Sequence, residues 1–219
     1  MYNSNKTIVF CLPGDNYSGN FLKCWTDLVL YCIQNNITPI LSQHSNCNIY
    51  YVRTMCLGGR SIAEKTQKPF NGEINYDYLM WIDSDIIFNV DQFDKLLSHD
   101  LDIVSGLYKM QNKTHYATVK NWDVDTYKKN GCFDFLKPDD IKTNELFEVS
   151  YTGFGFMLIK KGVFEKIEYP WFKPRFIEMD HIIEFTMEDV TFCLEAKEKG
   201  FKIMIDPTIV VGHEKKIIL

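Results

Sequence analysis

This 219-residue sequence contains no run of about 18 apolar residues, so no membrane-spanning helix is expected. It also lacks a basic N-terminal segment followed by a long apolar stretch. The polar Tyr2-Asn3-Ser4-Asn5-Lys6 passes straight into a short apolar strand, so no secretory signal is expected. No Cys-x-x-Cys pair occurs. The seven cysteines (Cys11, Cys24, Cys32, Cys47, Cys56, Cys132 and Cys193) are scattered and odd in number. That excludes a zinc ribbon or thioredoxin-type motif and points to reduced thiols in the cytoplasm. There is no excess of positive charge. Lys and Arg number 24 against 29 Asp and Glu, a net charge of -5, so the concentrated basic face of a nucleic-acid binder is missing. Internal repeats, low-complexity tracts and domain-separating linkers are absent as well. One domain over residues 1–219 is expected.

Hydrophobic residues make up 46% of the chain, enough to fill a sizeable core, and aromatics make up 15%. Tyr78-Leu79-Met80-Trp81-Ile82-Asp83-Ser84-Asp85-Ile86-Ile87-Phe88 is the most informative stretch, an apolar run with two carboxylates one residue apart. Read as one strand over residues 78–88, it projects Asp83 and Asp85 to the same side and turns Ser84 away. Two acids on one edge of a buried strand repel unless a cation neutralises them, and hard oxygen ligands suit Mg²⁺ or Mn²⁺. The plainer alternative is an acidic turn where a strand meets solvent.

Strand and helix signals alternate up to about residue 110. Strands are expected at 7–12, 37–42 and 101–108, and helices at 21–35, 91–97 and from the N-cap Asn48 to about Leu57. This is the pattern of an α/β fold with a mostly parallel central sheet. Pro13-Gly14-Asp15, His44-Ser45 and Asp83-Ser84-Asp85 all fall at C-terminal strand ends, where such sheets collect ligands. Later, 115–122 and 147–159 read as extended, 187–199 as a helix with Val190, Cys193, Leu194 and Lys197 on one face, and 201–205 as a strand ending before Pro207.

The order of first strand, Asp-Ser-Asp strand, Gly-Phe-Gly segment, Glu-Asp helix and terminal His resembles the GT-A glycosyltransferases, close to the family 2-like branch. In its compact length the chain also resembles the glycosyltransferase domains of large DNA viruses of algae, which implies a host-cytoplasmic location. The likeness covers residues 6–216, with a nucleotide-binding half to about 110 and an acceptor half beyond it. It implies a Rossmann-like sheet, a UDP-sugar donor, a glycan acceptor and Mn²⁺ or Mg²⁺. By the same resemblance Asp85, Asp83 and His213 are metal residues, Asp83 also lying beside the ribose or a metal-bound water. Leu12, Pro13, Gly14 and Asp15 form the nucleotide loop, with Arg53 and Ser84 facing the nucleotide. Gly153 and Gly155 lie under the donor sugar, and Lys215 or Lys216 caps a phosphate. Glu188-Asp189 would be the catalytic pair, with Asp189 the general base of an inverting reaction. Trp171 would stack on an acceptor sugar or serve as a hydrophobic clamp. Two alternatives are a sugar nucleotidyltransferase, for which Leu12-Pro13-Gly14-Asp15 is a poor Gly-rich loop, and a non-catalytic nucleotide- or carbohydrate-binding module.

Overall fold

The apolar run Ile8-Val9-Phe10-Cys11-Leu12 is buried on both sides because it forms a central strand, β1 (Lys6–Pro13), in the computed structural model, which describes residues 5–215. Side chains alternate across a strand. Ile8, Phe10 and Leu12 therefore enter one core cluster, and Val9 and Cys11 the other. The first cluster lies under α1 (Gly19–Gln34), where Phe21, Leu28 and Cys32 recur at helical spacing. Ser18 caps this helix, its hydroxyl accepting from the Phe21 amide. The strand β2 (Ile37–His44) then pairs parallel with β1. On the opposite face α2 (Ile49–Cys56) starts at Asn48, whose side chain accepts from the Tyr50 and Tyr51 amides as expected of an N-cap.

The stretch read as one strand is broken by its acids. β3 (Tyr78–Ile82) ends before Asp83, and β4 (Ile86–Ile87) begins after a tight turn closed by the Ile86 amide on the Asp83 carbonyl at 3.0 Å. The expected alternation of Asp83 and Asp85 on a common side fails for that reason. The helix α3 (Val90–Ser98) opens on a reciprocal cap between Asn89 and Gln92 and leads to β5 (Ile103–Leu107). Short β6 (Thr118–Val119) and α4 (Val124–Asn130) follow. The segment 147–159 divides into β7 (Phe147–Val149), β8 (Tyr151–Thr152) and β9 (Phe156–Lys160). A hairpin of β10 (Phe176–Met179) and β11 (Ile182–Phe185) precedes α5 (Glu188–Glu198), and β12 (Ile203–Val210) and β13 (Gly212–His213) end the described fold.

Seven strands make the central sheet in the order β2-β1-β3-β9-β5-β12-β7. β9 runs antiparallel to both neighbours and β7 antiparallel to β12, so five strands point one way and two the other. The fold is therefore α/β with a mixed, predominantly co-directional sheet in one domain. Strands from both halves interleave, so no domain boundary falls near residue 110. Pro207, expected beyond the last strand, lies inside β12. It is tolerated because the register against β5 shifts between Ile205 and Val210, and β7 pairs only with Ile203 to Ile205. On α5 the buried face is Glu188, Thr191, Phe192, Cys193 and Ala196 rather than the expected stripe, of which only Cys193 is buried. All seven cysteines are free. Among the described residues no helix is long and apolar enough to cross a membrane.

Candidate active site

Three strand ends meet at the C-terminal edge of β1, β2 and β3. The Gly14 amide donates to the His44 carbonyl at 2.8 Å, joining the loops after β1 and β2. Gly14 has a φ of 141°, and a Cβ there would stand 2.7 Å from the Ser84 Cβ. Only glycine both adopts this conformation and lets the first loop touch the Asp-Ser-Asp turn. Tyr17 braces the loop, its hydroxyl donating to the Leu12 carbonyl at 3.0 Å and the Gly14 carbonyl at 3.2 Å. Leu12 and Pro13 are buried, and Asp15 is exposed and accepts from the Asn16 amide nitrogen Nδ2.

The two turn acids have separate partners. Arg53, only 3% exposed on α2, donates from Nη1 and Nη2 to the two Asp83 oxygens at 3.0 and 3.2 Å. Its Nε donates to Glu188 Oε1 at 2.9 Å. The guanidinium also lies over the Phe154 and Trp81 rings, at 5.0 and 5.7 Å from their centroids. Burial would lower the Arg53 pKa, but the two carboxylates raise it further, so the group is a permanent cation. Arg53 is thus an internal tie between β3 and α5 rather than a side chain open to a nucleotide.

Asp85 turns the other way. His213 Nε2 lies 3.1 Å from Asp85 Oδ2, and Lys215 Nζ donates to the same oxygen at 2.6 Å. The strand pair β4–β13 makes this contact possible by setting His213 opposite Ile86. Partial burial favours the neutral Asp85 acid, yet the bonds from His213 and Lys215 prevail and hold its pKa at about 2. Burial pushes His213 down, and the Asp85 bond outweighs it to raise the imidazole. His213 Nδ1 lies 2.6 Å from the Lys109 carbonyl, which fixes the ring with Nε2 toward Asp85. Among the described residues no three His, Cys, Asp or Glu side chains converge on one point. Asp85 and His213 would give a hard divalent cation one carboxylate and one imidazole, and the remaining oxygens would come from a bound ligand once Lys215 leaves the carboxylate. Lys216 lies outside the described residues.

Gly153 and Gly155 receive Tyr108. A Cβ on Gly153 would sit 2.0 Å from the Tyr108 hydroxyl oxygen, and one on Gly155 would sit 2.6 Å from its ring. Tyr108 in turn meets the His213 ring edge-on at 5.2 Å. Gly153→Ala should therefore cost about 1–3 kcal/mol by overpacking and displace the tyrosine that backs His213. Denaturation midpoints of the variant measure that cost, and a midpoint equal to the parent's would show that this close approach does not hold Tyr108 in place. Tyr108 was legible only as an aromatic at the end of a strand, without a motif to single it out.

Asp189 begins α5 half-buried. Its Oδ1 accepts from the Val190 amide at 2.8 Å and its Oδ2 from the Tyr151 hydroxyl at 3.4 Å. Removal from water, joined by the neighbouring Glu188 carboxylate, lifts its pKa to about 7. Glu188 itself is 4% exposed and committed to Arg53. Trp171 is fully buried and edge-on to Tyr169 at 5.0 Å, so it is a hydrophobic clamp and cannot stack on an acceptor sugar.

The α/β fold is shared with several solved structures, although no protein-family model and no curated protein sequence matches this chain. The crystal structure of A197 from STIV matches over 96% of this chain and 86% of its own, with a TM-score of 0.57 and 18% identity. GalNAc-T7, solved with UDP, GalNAc and Mn²⁺, matches over 98% of this chain and 45% of its own, with a TM-score of 0.51 and 13% identity. At these identities the likeness is one of fold.

Proposed function

We propose that this chain is a metal-dependent glycosyltransferase, moving a sugar from a nucleotide-sugar, most simply a UDP-sugar, to a carbohydrate hydroxyl. The observation that carries the reading is the meeting of the Gly14 loop, the Asp83-Ser84-Asp85 turn and the His213–Lys215 segment at one sheet edge. Its fold likeness to GalNAc-T7, whose structure holds UDP and Mn²⁺, supports it. In this reading Asp85 and His213 hold Mn²⁺ or Mg²⁺. A bound divalent cation supplies neutralisation of the charge that builds on a leaving diphosphate.

The chain's own residues do the rest. Leu12, Pro13, Gly14 and Asp15 line the nucleotide, with Ser84 beside them, and Asp83 is oriented by Arg53 toward the ribose or a metal-bound water. Lys215 shifts from Asp85 to a phosphate oxygen. Gly153 and Gly155, expected beneath the sugar, are buried and instead seat Tyr108, which backs His213. Asp189 takes the proton from the acceptor oxygen at Oδ2, where a pKa near neutrality suits a general base. Glu188, locked to Arg53, positions the start of α5.

Asp85→Ala tests the metal assignment. The side chain is surface-accessible at a turn, so the fold should persist while the Mn²⁺ dependence of UDP binding disappears in calorimetry. A variant that binds UDP with the same Mn²⁺ dependence as the parent would overturn the assignment.

A further inference from the structure

A cavity of about 640 Å³ opens between α2 and the segment that carries Tyr169 to Pro174. That volume falls within the range of small-ligand sites. Its walls are aromatic, formed by Tyr51, Tyr169 and Phe172, and its rim carries Arg60 and Lys173. Tyr51 is 58% exposed, an open ring face of the kind on which the C–H face of a sugar packs. Among the described residues no Asp or Glu lines the cavity, although the chain as a whole is acidic. Lys173 is paired with Glu195 at 2.9 Å, whereas Arg60 is exposed and makes no ion pair among the described residues.

The loop bearing Arg60 is held tightly in place. A Cβ on Gly59 would lie 2.3 Å from Thr54 Cγ2 and 3.2 Å from the Tyr169 ring, so only glycine permits this closeness to α2. The Tyr169 hydroxyl donates to the Arg60 carbonyl and joins the two walls. Tyr50, also in the lining, donates its hydroxyl to the Thr186 carbonyl at 2.8 Å, three residues before Asp189. The cavity wall and the start of α5 are therefore directly connected.

We infer that this cavity is an acceptor subsite for an anionic saccharide, with Tyr51 as the stacking platform and Arg60 as the group that reads the negative charge. The acceptor role rests on the transferase reading above; the binding of an anionic sugar does not. A guanidinium free of protein carboxylates can form paired hydrogen bonds to a carboxylate or a phosphate, and a neutral sugar offers it nothing comparable.

Calorimetry on the intact chain, without donor, with trigalacturonate, mannose 6-phosphate and maltotriose tests the inference. At least one anionic probe should bind about tenfold more tightly than maltotriose. Trigalacturonate alone would identify a carboxylate ligand, and mannose 6-phosphate a phosphate. Arg60→Gln should erase the preference, Tyr51→Ala should weaken every probe that binds, and both variants should keep parental UDP and Mn²⁺ affinity. Equal affinity for neutral and anionic probes, no binding of any probe, or indifference to both substitutions would overturn the subsite. Anionic-sugar binding by a chain that fails to bind UDP would instead leave the subsite standing and remove the transferase reading.

Discussion

Arg53→Ala should lower the free energy of unfolding by about 3–5 kcal/mol, the usual cost of stranding a buried charge. Glu188 is 4% exposed, and its hydrogen bond at 2.9 Å is to Arg53. Without the guanidinium it must ionise alone in the interior or take up a proton, and the Phe154 and Trp81 faces lose their cation as well. Replacing both partners, as Arg53→Met with Glu188→Gln, should recover much of the loss, because no unpaired charge then remains. Urea midpoints of the single and double variants decide the matter. A single variant within about 1 kcal/mol of the parent would mean that water reaches Glu188 and that the tie is dispensable.

Asp189→Asn should reduce sugar transfer by about 10²-fold or more while leaving UDP and Mn²⁺ binding near parental values. The same substitution should stabilise the fold at neutral and higher pH. The folded carboxyl titrates at about 7, whereas an unfolded one titrates at about 3.9. Between those values the folded state holds the extra proton, so this group's contribution to stability falls as pH rises through the window. Asn carries no such penalty, and the variant's advantage should grow from about pH 4 to about pH 7 and then level off. Parental activity should in turn rise toward pH 7 as the base loses its proton. Near-normal turnover by the Asn variant would eliminate Asp189 as the base and favour a retaining mechanism, which needs none.

Local signals were readable where a residue's own chemistry decides its conformation. Asn48 caps α2, and the both-sides-buried run at 8–12 is a central strand, both from short-range preference. The Gly14 loop and the Asp-Ser-Asp turn were both placed at strand ends, and they touch. Non-local pairing was not readable. An apolar run does not state its direction, so β9 was not distinguishable as the antiparallel insert between β3 and β5. The hairpin β10–β11 carries no clear period-2 signal, since Phe176-Ile177-Glu178-Met179 sets two apolar residues side by side, and its turn rests on Asp180 with a φ of 58°. The opposite allegiances of Asp83 and Asp85 depend on Arg53 and His213, which are 30 and 128 residues away in the chain.

The insertion of β9 also bears on synthesis. β3 and β5 leave the ribosome early, separated by the width of a strand that has not yet been made. Until residues 156–160 emerge, both strands present unpaired amide and carbonyl groups to any neighbouring chain. A nascent first half is therefore an adhesive intermediate rather than a finished module, and the sheet closes only through contacts distant in sequence. Slow translation or a pause between β5 and β9 would prolong that exposure, so yield in a foreign host should depend on elongation speed and on chaperones that shield strand edges.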